Sequence, residues 1–147
     1  MTKDTVIKLR EETGAGVMQC KRALEEANGD YEKAKVLIAK AGAMKAEAKK
    51  ERATGSGLLE AYMHNGRVGV LLEIRCETDF VAKADAFKEL AHDVAMHVAA
   101  MDPESVEALL AQPFVRDESV TIKDLVNAAV GKIGENIEIK RFTRYEL

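Results

Sequence analysis

Three observations predict an α+β protein for this 147-residue chain. Two strand-like runs, Leu58 to His64 and Val68 to Cys76, flank Asn65-Gly66, a dipeptide suited to the positive φ values of a two-residue type I′ hairpin turn. A helical stripe of Phe87, Leu90, Ala91, Val94 and Val98 follows over Asp85 to Met101 and can cover one face of that hairpin. Ahead of both lie three short helical patterns punctuated by glycine.

The first three helices are expected over Asp4 to Thr13, Val17 to Ala27 and Tyr31 to Ala41. Gly14 and Gly42 stand where C′ glycines would end the first and third, and Asp30 stands where an N-cap would open the third. Val6 and Leu9, then Cys20, Leu24 and Ala27, then Ala34, Leu37 and Ile38 recur at helical spacing, so residues 1–42 read as a three-helix module with a small core. Residues 43–57 read as a charged linker, a helix-prone arm from Met44 to Arg52 and a flexible joint at Thr54-Gly55-Ser56-Gly57. Lys45, Lys49, Lys50 and Arg52 are interleaved with Glu47 and Glu51, the pattern of a solvated face with i,i+4 pairing rather than of a phosphate site.

Residues 58–147 form the α+β core. Val68, Val70, Leu72 and Ile74 share one face of the second strand, and Leu71, Glu73, Arg75 and Glu77 the other. Asp102-Pro103 ends the covering helix, and a short helical piece is expected around Val106 to Leu110. A helix from Ile122 to Ile133 carries Leu125, Val126, Ala129 and Ile133 on one side and Gly134 at its end; a third strand lies within Ile137 to Leu147. The result is a three-stranded antiparallel sheet with helices on one face. Its other face lacks a cover, and an open face carrying apolar residues suggests association with another protein or a second copy.

A net charge of -3 and a pI near 5.7 remove the broad positive field of a sequence-independent phosphate binder, so direct nucleic-acid binding is not expected. Cys20 and Cys76 lack the spacing of a metal knuckle or redox motif and read as reduced thiols. The first residues show no signal-peptide core and no run approaches the ~20 apolar residues of a membrane helix, which predicts a cytoplasmic protein without a membrane partner. His92 and His97 are five apart, His64 abuts the turn, no serine sits in a nucleophile elbow, and Thr13 to Gly16 and Gly131 to Gly134 read as helix punctuation. Neither a catalytic residue nor a metal, cofactor or small-molecule substrate is expected. Binding to a macromolecule is what remains.

Two segments invite that use. In Cys76-Glu77-Thr78-Asp79-Phe80-Val81-Ala82-Lys83 an acid and a large aromatic stand where a strand gives way to a helix. Either Thr78 or Asp79 caps the helix and Phe80 packs on the sheet, or an exposed Asp-Phe pair is held to enter a partner, where aromatic anchors commonly supply ~2 kcal/mol or more each. Met18, beside Gly16 and Val17 and one loop after Arg10, is likewise either core or a protein contact.

The run from Val6 to Leu24, containing Thr13-Gly14-Ala15-Gly16-Val17-Met18, closely resembles the opening of the bacterial translation elongation factor Ts family. Cys76 to Lys83, Ala95-Met96-His97-Val98-Ala99-Ala100, and Gln112-Pro113-Phe114-Val115 with Gly134-Glu135-Asn136 to Leu147 resemble the same family, in order along the chain. The resemblance implies a ubiquitin-associated-like helical module ahead of an α+β core, and a guanine nucleotide exchange factor for elongation factor Tu that is not a chemical enzyme. It implies that Thr78, Asp79, Phe80 and Val81 intrude near the GTPase magnesium site, Phe80 as a wedge between helices and Asp79 against groups supporting the ion. Arg10, Val17 and Met18 would grip the nucleotide domain. Only eight residues separate Pro103 from Gln112, where longer members insert a projecting helical hairpin, and only one core unit is present, which by resemblance to other short members implies a homodimer. A ubiquitin-associated-type adaptor with a dimerising core is the alternative, and a small enzyme using His92 or His97 is a third.

Overall fold

The structure, a computed structural model, describes residues 2–147. Helix α1 (Lys3–Thr13) opens on Thr2, whose hydroxyl accepts from the Thr5 N–H, and closes at Gly14 in the left-handed region. Helix α2 (Val17–Glu26) follows, then α3 (Tyr31–Lys49), opened by the Asp30 carboxylate accepting from the Lys33 N–H. Leu9, Cys20, Leu24, Ala34 and Ile38 fill a small core between them.

The third helix does not stop at Ala41. Gly42 is buried within it, and the helix runs on to Lys49, absorbing the charged arm. The reason is long-range: α3 crosses α7 (Ile122–Ile133) at Gly42 and Gly131. A Cβ on Gly42 would lie 3.3 Å from the Asn127 carbonyl oxygen, and one on Gly131 would lie 3.1 Å from the Gly42 Cα. Two bare Cα positions let the backbones approach more closely than any side chain would permit, so this glycine serves packing instead of termination.

Strands β1 (Ser56–His64) and β2 (Val68–Cys76) form the expected antiparallel hairpin. Asn65 and Gly66 both have positive φ, and the Arg67 N–H donates to the His64 carbonyl. The register pairs His64 with Val68, however, so Arg67 is a third loop residue where a two-residue loop was expected. After β2 come α4 (Asp79–Ala82), α5 (Asp85–Met101) and α6 (Val106–Ala111), then a two-stranded hairpin of β3 (Pro113–Phe114) and β4 (Asp117–Thr121) that the sequence did not signal. Helix α7 starts at Thr121 with a reciprocal capping box to Asp124 and ends at Gly134. Strand β5 (Glu138–Glu146) adds to β2, giving the sheet order β1-β2-β5.

Val70, Leu72, Ile74 and Cys76 meet Phe87, Leu90, Ala91, Val94 and Val98 of α5 in the main core, as their periodicities require. The fully buried stripe of α7 is Ile122, Val126 and Val130, while Leu125, Ala129 and Ile133 are half-buried flanks. This helix is covered by both α3 and α5, so its apolar arc is wider and centred differently from a one-sided reading. His97 is fully buried: the Val115 N–H donates to its Nδ1 at 3.1 Å, so Nε2 carries the proton toward Gln112 Oε1 at 2.8 Å. Both nitrogens are spent on fastening the β3–β4 hairpin.

The opposite face of the sheet is open. Leu59, Met63, Leu71 and Tyr145 stand exposed there, with the Met63 side chain lying over Gly69. At its other end Glu73 accepts from Arg75 at 2.6 Å and Arg141 at 2.7 Å, bonds that hold its carboxyl below the usual carboxylate range.

Candidate functional site, a protein-docking corner

Strand β2 ends at Cys76, and the chain turns through Glu77 and Thr78 into α4. Thr78 is the N-cap, its hydroxyl accepting from the Val81 N–H at 3.3 Å. Val81 and Ala82 drop into the main core, which fixes the rotation of this one-turn helix and turns Asp79 and Phe80 outward. Phe80 is 85% exposed. Of the two readings of this segment the cap is real, but the aromatic is not the core residue; Val81 is.

An isolated helical turn is marginal, and this one is held from outside. Gly134, at φ 85°, reverses the chain after α7 and delivers Glu135 to the corner. Its Oε1 accepts from the backbone N–H groups of Glu77 and Thr78, both at 3.0 Å, and its Oε2 accepts from the Thr78 hydroxyl at 2.7 Å. Asn136 completes the tie: its N–H donates to Glu77 Oε2 at 2.7 Å, and its side-chain amide donates to the carbonyls of Lys50 at 3.3 Å and Arg52 at 2.9 Å. Arg52 in turn lies 3.6 Å from Glu77. The Cys76 thiol donates to the Thr78 carbonyl at 3.2 Å, and burial, with the Glu135 charge second, raises its pKa. Sequence reading passed over Glu77, Glu135 and Asn136 as agents because their partners lie 57 to 86 residues away, beyond any local pattern.

Arg10, Val17 and Met18 lie at a separate place, on either side of the turn from α1 into α2. Arg10 is exposed, Val17 is 46% exposed and Met18 61%, so Met18 is not core. Ile7, 41% exposed, lies one turn before Arg10 on α1 and was not singled out from sequence. A shallow groove there is lined by Ile7, Arg10, Glu11, Gly14 and Lys132. Gly16 opens α2 without a side-chain cap.

Among the described residues no cluster of three or more His, Cys, Asp or Glu is arranged to hold a metal ion, and no helix is long and apolar enough to cross a membrane. His92 is exposed and lies 4.0 Å from Glu60, with Tyr62 edge-on to its ring. The site's chemistry is that of a rigid edge presenting one acid and one aromatic.

The family model described as Elongation factor TS matches residues 77–147, the part that contains α4 and the Glu135 and Asn136 that hold it. Proteins named Elongation factor Ts align over all or nearly all of the chain: that of Thermotoga sp. (strain RQ2) is 43% identical over all of this chain and 96% of its own length. That of Carboxydothermus hydrogenoformans is 42% identical over all of this chain and 89% of its own, and that of Fervidobacterium nodosum 43% identical over 97% and 95%. The Thermotoga alignment runs over 191 positions against the 147 residues of this chain, so the relative carries at least 44 positions without a counterpart here.

Proposed function

This chain belongs to the elongation factor Ts family, and is thus a translation elongation factor; from that membership and the geometry of the corner we propose that it is a guanine nucleotide exchange factor for elongation factor Tu. The observation that carries the reading is Phe80, a large aromatic standing 85% exposed on a corner whose backbone is tied down by Glu135. Leaving a phenylalanine in water forgoes about 1.5–3 kcal/mol of burial, a cost that a binding role explains.

An exchange factor binds the nucleotide-free GTPase better than the nucleotide-bound one, and by linkage weakens nucleotide affinity by the same factor. Phe80 is the wedge that separates partner helices, and Asp79, exposed beside it at the start of α4, disturbs the groups that support Mg²⁺. Loss of that ion leaves the phosphate charge of GDP uncompensated, which speeds release. Thr78 and Val81 serve this edge from within, as cap and as anchor. Arg10, Val17 and Met18 grip the nucleotide domain of the partner. The open sheet face with Leu59, Met63, Leu71 and Tyr145 joins a second copy, giving a homodimer. The reaction makes and breaks no covalent bond, and the working compartment is the cytoplasm.

The test follows release of fluorescent GDP from elongation factor Tu with the wild type and with Asp79→Ala, Phe80→Ala and Met18→Ala. Phe80→Ala slows exchange at least about tenfold, about 1.4 kcal/mol, with an unchanged melting temperature. Wild-type release rates from folded Phe80→Ala overturn the wedge. Partner binding that persists without any acceleration of release favours an adaptor instead.

A further inference from the structure

We infer that Glu135 is a positioning residue for exchange, acting only through the edge that carries Asp79 and Phe80; this rests on the exchange reading above. The geometry separates its work from ordinary core packing. One carboxylate takes three hydrogen bonds from two consecutive residues, the N–H groups of Glu77 and Thr78 and the Thr78 hydroxyl. That same Thr78 oxygen then caps α4 by accepting from the Val81 N–H. The chain of contacts therefore runs from Glu135 through Thr78 to the helical turn on which Phe80 stands, and it contains no apolar contact with Phe80 itself.

Four-residue helices do not hold their own direction, and an exposed side chain has no packing to fix it. A wedge that swings gives away its binding energy as ordering cost when it enters the partner. Glu135 removes that freedom in advance. Its own position is fixed from both sides, by the Gly134 reversal before it and by Asn136 after it, whose buried side chain holds the Lys50 and Arg52 carbonyls at the end of the helical arm. The corner is thereby fastened to the frame that carries the other gripping surface.

A double-substitution cycle on the full chain tests this, using Glu135→Gln, Phe80→Ala and the pair, with GDP release from elongation factor Tu measured across factor concentration. Glu135→Gln keeps one acceptor oxygen but turns an amide toward the Thr78 hydroxyl. It lowers the maximal exchange rate about threefold or more while the half-saturating concentration moves less than about twofold. In the Phe80→Ala background the same change costs clearly less, because one of the two groups it positions is gone and only Asp79 remains to be placed. Thr78→Val reproduces the loss and Thr78→Ser, which retains the hydroxyl, restores the rate. An equal loss with and without Phe80, or an unaltered maximal rate in folded Glu135→Gln while Phe80→Ala is slow, overturns the inference. If Phe80→Ala is itself silent, the exchange reading fails and takes the positioning role with it.

Discussion

Phe80 and Met18 are both apolar, both exposed and both just inside a helix start, yet they are mounted differently. Phe80 stands on a turn that is capped by a side chain and tied to residues more than fifty positions away. Met18 stands at the start of α2 behind Gly16, with no side-chain cap, after a turn whose side-chain ties are local: the Thr13 hydroxyl accepts from the Ala15 N–H and donates to the Leu9 carbonyl. A rigid aromatic can transmit force into a partner, whereas an exposed, unbranched thioether adapts to the surface it meets. The difference separates a group suited to displacing something from a group suited to holding on.

The frame that keeps the two apart is the crossing of α3 and α7, and breaking it has the largest effect. Gly131→Val places branched carbon where the Gly42 Cα already approaches within 3.1 Å of a Cβ position, costing about 2–3 kcal/mol by overpacking. A thermal or urea melt checks that loss. Next comes a contrast between neighbours: Val81→Ala lowers stability by about 1–2 kcal/mol because that side chain lies in the core, while Phe80→Ala leaves the melt unchanged and slows exchange. Equal losses of stability in the two variants would remove the distinction between anchor and wedge.

Legibility in the sequence followed the range of the cause. Strand β2 and helices α5 and α7 were readable to within a residue because their signals, alternation, a 3.6-residue stripe and a following turn, are local. Gly42 misled, since glycine after an apolar run marks a helix end unless another helix needs the space, and α7 lies some ninety residues on. The corner was half legible. Thr78 followed by a short apolar run suggested a cap, but which of Phe80 and Val81 faces inward depends on how Val81 and Ala82 seat in the core, and the Glu135 contacts that hold the entry to the turn join residues 57 apart. The β3–β4 hairpin escaped because β3 is two residues long and is fastened by His97, a buried group that no local pattern assigns to it.

That histidine gives a smaller prediction, about the frame alone. Burial lowers the pKa of His97, with the Gln112 hydrogen bond opposing, so the unfolded chain, whose histidine titrates near 6.5, takes up its proton first. Stability is therefore greatest above pH 6.5 and falls as pH drops below it, because the unfolded state binds more protons there. Protonation would also force a second donor against the Val115 N–H. His97→Gln removes this part of the pH dependence, checked by melts between about pH 7 and 5. A wild-type melting temperature as flat as that of the variant across this interval contradicts the assignment.

The smallest expected effect tests the other half of the comparison. Met18→Ala shortens an exposed side chain next to Val17, itself exposed, so the remaining apolar surface still engages a partner. The half-saturating concentration of factor in GDP exchange rises about threefold, about 0.7 kcal/mol, and the maximal rate stays where it was. Removing a holding group weakens encounter and complex alike without touching the step in which the nucleotide leaves. Phe80→Ala should do the reverse, losing maximal rate with the half-saturating concentration little changed. If Met18→Ala instead lowers the maximal rate, the helical module takes part in displacing the nucleotide, and the division between holding and displacing groups fails.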